Sequence, residues 1–297
     1  MRAVARKSRS PAAPVTWRDG VHLTGTPIWC DARRRRDVCF VSSAARSPFF
    51  LERGPSGRAG AETVGPGHGQ LIATPQTLAL IGAKGQLGVP LRKPFTLGTL
   101  RLELIASGRG VGAAALHVDA GDHTVLYAGA IRGAEVRAAD AVVVASPLAE
   151  PADPPRDAAT KLVAWTREHE APVVAVDSVL DGLEVASALA GAGLAVAGTK
   201  SLRDAAARAE LPAIAAKGDV LIKVDGDRAR LPAGHSLQHV TARTWPLVAS
   251  DRELLAWIDK TRASQVFVTG AGAERIASAV GPRARVLGPP RQMSLFR

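Results

Sequence analysis

The chain has 297 residues, with 38 Lys and Arg against 27 Asp and Glu, seven His and two Cys. That length can bury a core without staples, and 46% hydrophobic with 22% charged residues excludes wholesale disorder, a collagen-like fibre and a disulfide scaffold. Cys30 and Cys39 cannot build a four-thiolate zinc site, so any metal would have to be held by carboxylates and histidines.

Residues 1–15, with Arg2, Arg6, Lys7 and Arg9 ahead of Pro11 and Pro14, are expected to form a disordered basic arm, with compact structure from about Trp17. Val38–Ser42, Gln70–Ala73, Leu100–Ile105 and Thr124–Ala128 are short, β-branched or alternating and bounded by Gly, Pro or charge, which predicts strands. Gly121-Asp122 predicts a hairpin turn between His117 and His123. From Ala139 strand and helix alternate: Ala141–Ala145, then a helix over Arg156–His169, strand Pro172–Val176, helix Asp181–Ala190, strand Leu194–Ala197 and helix Leu202–Ala209. That alternation is the pattern of parallel βα units. Gly191-Ala192-Gly193 follows a helix and predicts a helix stop, not a dinucleotide loop. A strand at Val220–Val224 leads into a polar, irregular stretch. Helix Asp251–Thr261, strand Gln265–Thr269, helix Ala273–Val280 and strand Arg285–Leu287 complete the series. A β-rich first half followed by an αβ second half predicts a layered α/β sandwich.

The net charge is +11, and 30 of the 38 basic residues are Arg. Basic side chains that neutralise phosphates give sequence-independent affinity for nucleic acid, and the run Arg33, Arg34, Arg35, Arg36 is the best candidate here. A GC-rich coding sequence also yields an Arg bias without any ligand. Aromatic residues are only 4% with one Tyr, which argues against a base-stacking platform. No apolar signal segment or spanning helix is legible, so a cytoplasmic protein with reduced cysteines is expected.

Eight blocks carry a resemblance. They are GVHLTGTPIWCD, DVCFVSSAARS, GHGQLIATPQTLALI, ELIASGRGVGAAALHV, HTVLYAGAIR, ADAVVVASP, ASDRELLAWI and SQVFVTGAG, in that order from about Val21 to Ala271. In order and spacing the chain resembles the metallo-β-lactamase fold of the β-CASP branch, and within it the bacterial DNA-ligase-associated, RNA-processing-like exonucleases. The resemblance implies an αββα sandwich core over 16–149 and 240–287, and a small β-CASP-like α/β insert over 150–239 that the Pro-rich Glu150–Pro155 introduces. It also implies two zinc or manganese ions, because imidazoles and carboxylates that clamp such ions lower the pKa of a bridging water for attack on phosphorus.

The ligand positions have eroded. The family's H-x-H-x-D-H run falls on Ser43, Ala44, Ala45, Arg46, Ser47 and Pro48; its turn histidine falls on Arg109, its bridging aspartate on Ala130 and its late histidine on Gly270. The S-D-H element reads Ser250, Asp251, Arg252, the acid after Ala141–Ala145 is Ser146, and the histidine of the Leu194–Ala197 strand is Ala197. None of these side chains but that of Asp251 suits a hard divalent ion, and Arg46, Arg109 and Arg252 would repel one. Gly108, Gly110 and Gly112 fit a tight turn kept for its backbone. No cofactor is therefore expected. The same three arginines, if they converge, could hold a phosphate directly.

Other patterns offer less. His235 and His239 have the best metal-pair spacing but lack an H-E-x-x-H glutamate, and His22, His68 and His169 are isolated. Neither a Walker-type loop nor a nucleophile elbow occurs. Beyond Gly288, residues 288–297 predict an extended tail carrying Gln292, Met293, Ser294, Leu295 and Phe296. This resembles the pentapeptide by which bacterial replication and repair proteins dock on the DNA sliding clamp: Leu295 and Phe296 would fill an apolar pocket while Gln292 makes oriented hydrogen bonds. The favoured function is a metal-free, non-catalytic homologue serving nucleic-acid repair or processing, brought to the clamp by its tail. The alternative is an active metal-dependent exonuclease or hydrolase with a non-standard metal set, for which His235 and His239 are the candidates. DNA, RNA or a DNA-processing enzyme could also be a partner, and no membrane partner is expected.

Overall fold

A computed structural model describes residues 13–46, 67–147, 158–241, 244–245 and 248–288. The first sheet follows chain order: β1 (Val15–Trp17), β2 (Val21–Leu23), β3 (Ile28–Cys30), β4 (Val38–Phe40), β5 (Gln70–Ala73) and β6 (Leu87–Gly88). Its first three strands are antiparallel and the rest parallel. A turn of 3₁₀ helix, Ala44–Arg46, follows β4, and α1 (Pro75–Ile81) follows β5.

The second sheet has seven strands in the order β17-β16-β11-β10-β9-β8-β7. These are β7 (Phe95–Leu97), β8 (Leu100–Ala106), β9 (Ala114–Asp119), β10 (Thr124–Gly129), β11 (Ala141–Ala145), β16 (Gln265–Thr269) and β17 (Ala284–Val286). Strands β7 to β10 form an antiparallel meander, and β10, β11, β16 and β17 run parallel. A third, all-parallel sheet runs β13-β14-β12-β15, from β12 (Pro172–Val176), β13 (Val196–Gly198), β14 (Val220–Val224) and β15 (Ser236–Val240). Its helices are α2 (Ala158–Glu168), α3 (Val179–Gly191) and α4 (Lys200–Arg208), while α5 (Asp251–Thr261) and α6 (Ala273–Val280) flank β16 in the chain.

Apolar side chains set the layers. Leu23, Ile28, Phe40 and Ile72 of the first sheet share one core with Leu102, Leu104, Leu116, Tyr127 and Val143 of the second, and the Phe40 and Tyr127 rings meet edge to face. The other face of the second sheet, with Leu126, Val142 and Val144, is covered by Leu254, Trp257 and Ile258 of α5 and Ile276 of α6. On the first sheet's other face, Cys39, Val41 and Leu71 join α1 and, without a break, Leu183 and Leu189 of α3 and Leu202 of α4. Each such Leu, Ile or Phe contributes roughly 1.5–3 kcal/mol on burial. The third sheet's helices are thus welded to the first sheet by a shared core.

The mixed α/β class is as expected, and most expected elements stand within a residue or two. The differences have local causes. Val38–Ser42 shortens to Val38–Phe40 because the Ser42 N–H turns to the Asp31 carboxylate at 2.9 Å. The expected strand Leu194–Ala197 is Val196–Gly198, since the Leu194 N–H closes the end of α3 on the Leu189 carbonyl. The polar stretch after Val224 contains a strand, β15, whose alternating exposure hides it from an apolar reading. Val15, expected in a disordered arm, is buried in β1. Helix α1 went unpredicted: Thr74 caps it by accepting from the Thr77 N–H, and Pro75 opens it.

Candidate functional site

The candidate site is built where the loop after β4, the β8–β9 loop and helix α3 meet. The β8–β9 loop is held by its own glycines. Gly108 has φ +71°, and a Cβ there would sit 1.6 Å from the Arg132 carbonyl oxygen; only glycine fits. Farther along, the Gly112 carbonyl accepts from the hydroxyls of Thr74 at 2.5 Å and Thr77 at 2.8 Å, tying the loop to α1. The Ala114 N–H donates to the Ser42 carbonyl at 2.8 Å, tying it to the loop after β4. Arg109 is thereby placed on a rigid turn.

Asp31 fixes the facing wall. Its Oδ2 accepts from the Ser42 hydroxyl at 2.6 Å and the Tyr127 hydroxyl at 2.7 Å, and its Oδ1 accepts from the Ser42 N–H. This carboxylate links β3, the loop after β4 and strand β10. Sequence reading passed over it, although an acid two residues past Trp29, beside a strand pair, was the available signal.

Ser43, Ala45, Arg109, Gly110, Val111, Leu180 and Glu184 line a cavity of about 20 Å³, room for a single water. Glu184, 9% exposed, accepts from the Arg132 guanidinium and from the Trp245 indole N–H at 3.1 Å, both on Oε1. Its Oε2 is buried without a hydrogen-bond partner. Asp181, one turn earlier on α3, has its carboxyl pushed up by burial, against the opposing hydrogen bond from Ser178 and a weaker pull from the Arg109 charge. Two guanidinium groups and two carboxylates thus fill this junction.

Ala130 and Gly270 stand along the adjoining sheet edge. Register pairs Gly129 with Val144 and Ala145 with Thr269, so Ala130, Ser146 and Gly270 follow one another at the carboxyl ends of β10, β11 and β16. The Ser42 hydroxyl lies 3.2 Å from where a Cβ on Gly129 would be, and the Ser146 carbonyl 2.4 Å from one on Gly270. Arg275, not singled out from sequence, clamps Asp251 through Nε at 2.5 Å and Nη2 at 3.0 Å, and also reaches Ser146. The structure therefore gathers Ser43, Ala45 and Arg109 around one cavity, while Ala130 and Gly270 follow β10 and β16 at the carboxyl end of the second sheet.

Other expected site residues do not join them. Arg252 is exposed in the first turn of α5 and is not among the described residues that line the cavity, and the Arg46 side chain, Ser47 and Pro48 lie outside the described residues. In the run Arg33–Arg36, Arg36 stacks 3.7 Å over the Trp29 ring and donates to the Arg18 carbonyl, while Arg34 pairs with Asp19 at 3.1 Å. Arg33 and Arg35 are exposed. His235 binds the Pro232 carbonyl at 3.0 Å. Among the described residues no group of three or more His, Cys, Asp or Glu comes together to hold a metal ion. Cys30 and Cys39 are buried free thiols; burial pushes both up, Cys39 to about 12. Gln292, Met293, Leu295 and Phe296 lie outside the described residues. No helix among the described residues is long and apolar enough to cross a membrane.

The two zinc or manganese ions implied by the resemblance do not fit these residues. Arg109 brings a cation to the cavity wall, Ser43 and Ala45 offer one weak oxygen donor between them, and Glu184 already serves Arg132 and Trp245.

No family model matches the chain, and no curated protein is similar to it. The fold is similar to that in the crystal structure of a protein of unknown function from Enterococcus faecalis V583, with a TM-score of 0.56, 12% identity, and coverage of 86% of this chain and 79% of that one.

Proposed function

We propose that this chain is a metal-free, non-catalytic relative of the metallo-β-lactamase/β-CASP exonucleases that serves nucleic-acid repair or processing as an accessory, recruited to the DNA sliding clamp through Gln292–Phe296. Two facing sheets with helices outside, and a third sheet entered after β11, support the family architecture. The observation that carries the functional reading is that Ser43, Ala45 and Arg109 surround one cavity, where the Glu184 carboxylate accepts from Arg132 and Trp245. In a water-poor junction a fixed guanidinium disfavours a divalent cation and favours an anion. The chain's net charge of +11 fits a polyanionic partner, with exposed Arg33 and Arg35 available to phosphates.

The test uses the full chain in two arms. Fluorescence anisotropy with single-stranded DNA, duplex DNA and RNA at two salt concentrations should show binding that weakens steeply with salt. A chain lacking Gln292–Arg297 should lose sliding-clamp binding in calorimetry while keeping its nucleic-acid affinity. Unchanged clamp affinity would remove the docking claim, and no binding to any of the three polymers would remove the nucleic-acid role.

A further inference from the structure

The first sheet carries another surface, on residues that take no part in the junction. Register pairs Thr16 with His22 and His22 with Trp29, so these three share one face of β1 to β3, while Val15, Val21, Leu23, Ile28 and Cys30 point into the core on the other. The next residue in that row, Cys39 of β4, is buried beneath α1 and the third sheet's helices. Beyond it the row opens outward: Trp29 and His22 are half-buried and Thr16 is exposed.

Because β3 and β4 are parallel, the chain between them has to run back along the sheet, and it carries Arg33, Arg34, Arg35 and Arg36 with it. This strap is pinned from both sides. The Arg33 N–H donates to the Asp19 carbonyl at 2.8 Å, the Arg34 guanidinium meets the Asp19 carboxylate at 3.1 Å, and the Arg36 guanidinium donates to the Arg18 carbonyl at 2.6 Å. On the other side the Arg36 N–H donates to His68 Nδ1 at 3.1 Å, and the Arg36 carbonyl accepts from the Gly69 N–H at 2.9 Å. Two glycines allow the close approach: a Cβ on Gly20 would lie 2.6 Å from the Ala32 Cα, and one on Gly69 would lie 2.8 Å from the Asp37 carbonyl oxygen. The strap is thus a fixed element whose cations are ordered before a partner arrives.

Arg18, Arg33, Arg34 and Arg35 are exposed here beside two exposed acids, Asp19 and Asp37. The Arg34–Asp19 pair is 76% and 48% exposed, so it contributes little to stability and a phosphate can replace the carboxylate at small cost. An extended run of four residues spans roughly 10 Å, a length over which duplex DNA presents about six phosphate charges and a single strand about half as many. The Trp29 indole is already engaged: His22 stacks on it with ring centroids 4.4 Å apart, and Arg36 lies 3.7 Å over it. An unpaired base would have to displace one of those side chains, so stacking does not offset the lower charge density of a single strand.

We propose that the Arg33–Arg36 strap is a docking surface for the phosphate backbone of duplex DNA, held without reading of its bases. Charge complementarity and preset geometry carry the inference, since guanidinium groups fixed in a row give affinity that is independent of sequence. It deepens the nucleic-acid role proposed above and rests on that reading: a chain brought to a clamp on DNA meets a duplex there, and the strap supplies the contact.

Fluorescence anisotropy on the full chain tests it, with duplex DNA of about 20 base pairs in two unrelated sequences, one of the separated strands, and a duplex RNA, each over a salt series. Arg33→Ala combined with Arg35→Ala removes two exposed side chains and keeps the strap's backbone bonds, so Tm should be unchanged. Each lost phosphate contact lowers the salt slope by about 0.9, or about eightfold in affinity at 0.1 M relative to 1 M salt, so this pair should lower the slope by about 2 and the affinity about sixtyfold. Arg208→Ala combined with Lys260→Ala removes the same charge from exposed positions on α4 and α5 and should leave the slope as it was. The two duplex sequences should bind equally, and more tightly than the single strand. An unchanged slope in the strap variant, or an equal loss in the α4 and α5 variant, would overturn this surface and leave the nucleic-acid role standing. Tighter binding of the single strand or of duplex RNA would overturn duplex DNA as the occupant, and no binding to any of them would overturn both the surface and the role.

Discussion

Replacing Glu184 by alanine probes the charge cluster beside Ser43, Ala45 and Arg109. The change removes the shared acceptor of Arg132 and Trp245 and leaves two guanidinium groups, Arg132 and Arg109, beside an emptied space. Breaking a buried ion pair costs about 3–5 kcal/mol. The Arg132 side chain is 29% exposed and the Glu184 side chain 11%, so water recovers part of that and about 2–4 kcal/mol is expected. For a chain of this size, a loss of that order lowers Tm by roughly 4–8 °C, at about 2 °C per kcal/mol. Glu184→Gln keeps the volume and an acceptor for the indole and should lose about half as much. Removing Arg132 as well should recover part of the alanine loss, giving a coupling above about 1 kcal/mol in the double-mutant cycle. Thermal unfolding followed by Trp fluorescence reads all five proteins: wild type, Glu184→Ala, Glu184→Gln, Arg132→Ala and the Glu184→Ala, Arg132→Ala double variant. A Glu184→Ala protein within about 0.5 kcal/mol of wild type, with no coupling to Arg132, would refute a cluster that holds the junction together.

Three further outcomes are expected. Gly108→Ala should destabilise severely or abolish folding, because its Cβ meets the Arg132 carbonyl, whereas Gly121→Ala, with open space around it, should cost only about 1 kcal/mol for its φ of +92°; comparative Tm values decide. Cys30 and Cys39 should react slowly with a thiol reagent in the native protein and fast in denaturant. Because burial raises the folded Cys39 pKa to about 12, the unfolded thiol ionises first, so stability should fall as pH rises from about 9 towards 12; a urea-unfolding series against pH shows whether Cys39→Ala flattens that limb. His117 is pushed down, chiefly by burial and next by the Arg137 charge, so the unfolded state takes up its proton first and stability should be lost as pH falls below about 6.5, a loss that His117→Gln should lessen.

Apolar patterning served the sequence reading well where an element is long enough to show it. Strands β11 and β16, with Val142, Val143, Val144 and Val266, Phe267, Val268, are continuous apolar runs, as parallel strands covered on both faces must be. Helix α5 was legible from its period and from Ser250 and Glu253, which form a capping box. Short strands such as β2 and β3 are three residues each and carry almost no period, so they were seen only within a larger resemblance. The candidate site was legible in part for the same reason. Positions in a loop, Ser43, Ala45 and Arg109, could be aligned with an expected constellation, but Glu184 and Trp245 come from elements 61 residues apart and meet only through the fold. In the basic run Arg33–Arg36, charge alone does not show that Arg36 packs on Trp29.

Metal content and turnover, measured on the same preparation, test the proposed metal-free, non-catalytic reading most directly. The full chain, incubated with zinc or manganese and then freed of excess ion, should retain no stoichiometric metal by elemental analysis. It should show no metal-dependent degradation of DNA or RNA above a Glu184→Gln, Arg109→Ala control. One or two equivalents of tightly bound metal, together with nuclease turnover that chelator abolishes, would contradict the proposed metal-free reading of the junction of Arg109, Arg132 and Glu184.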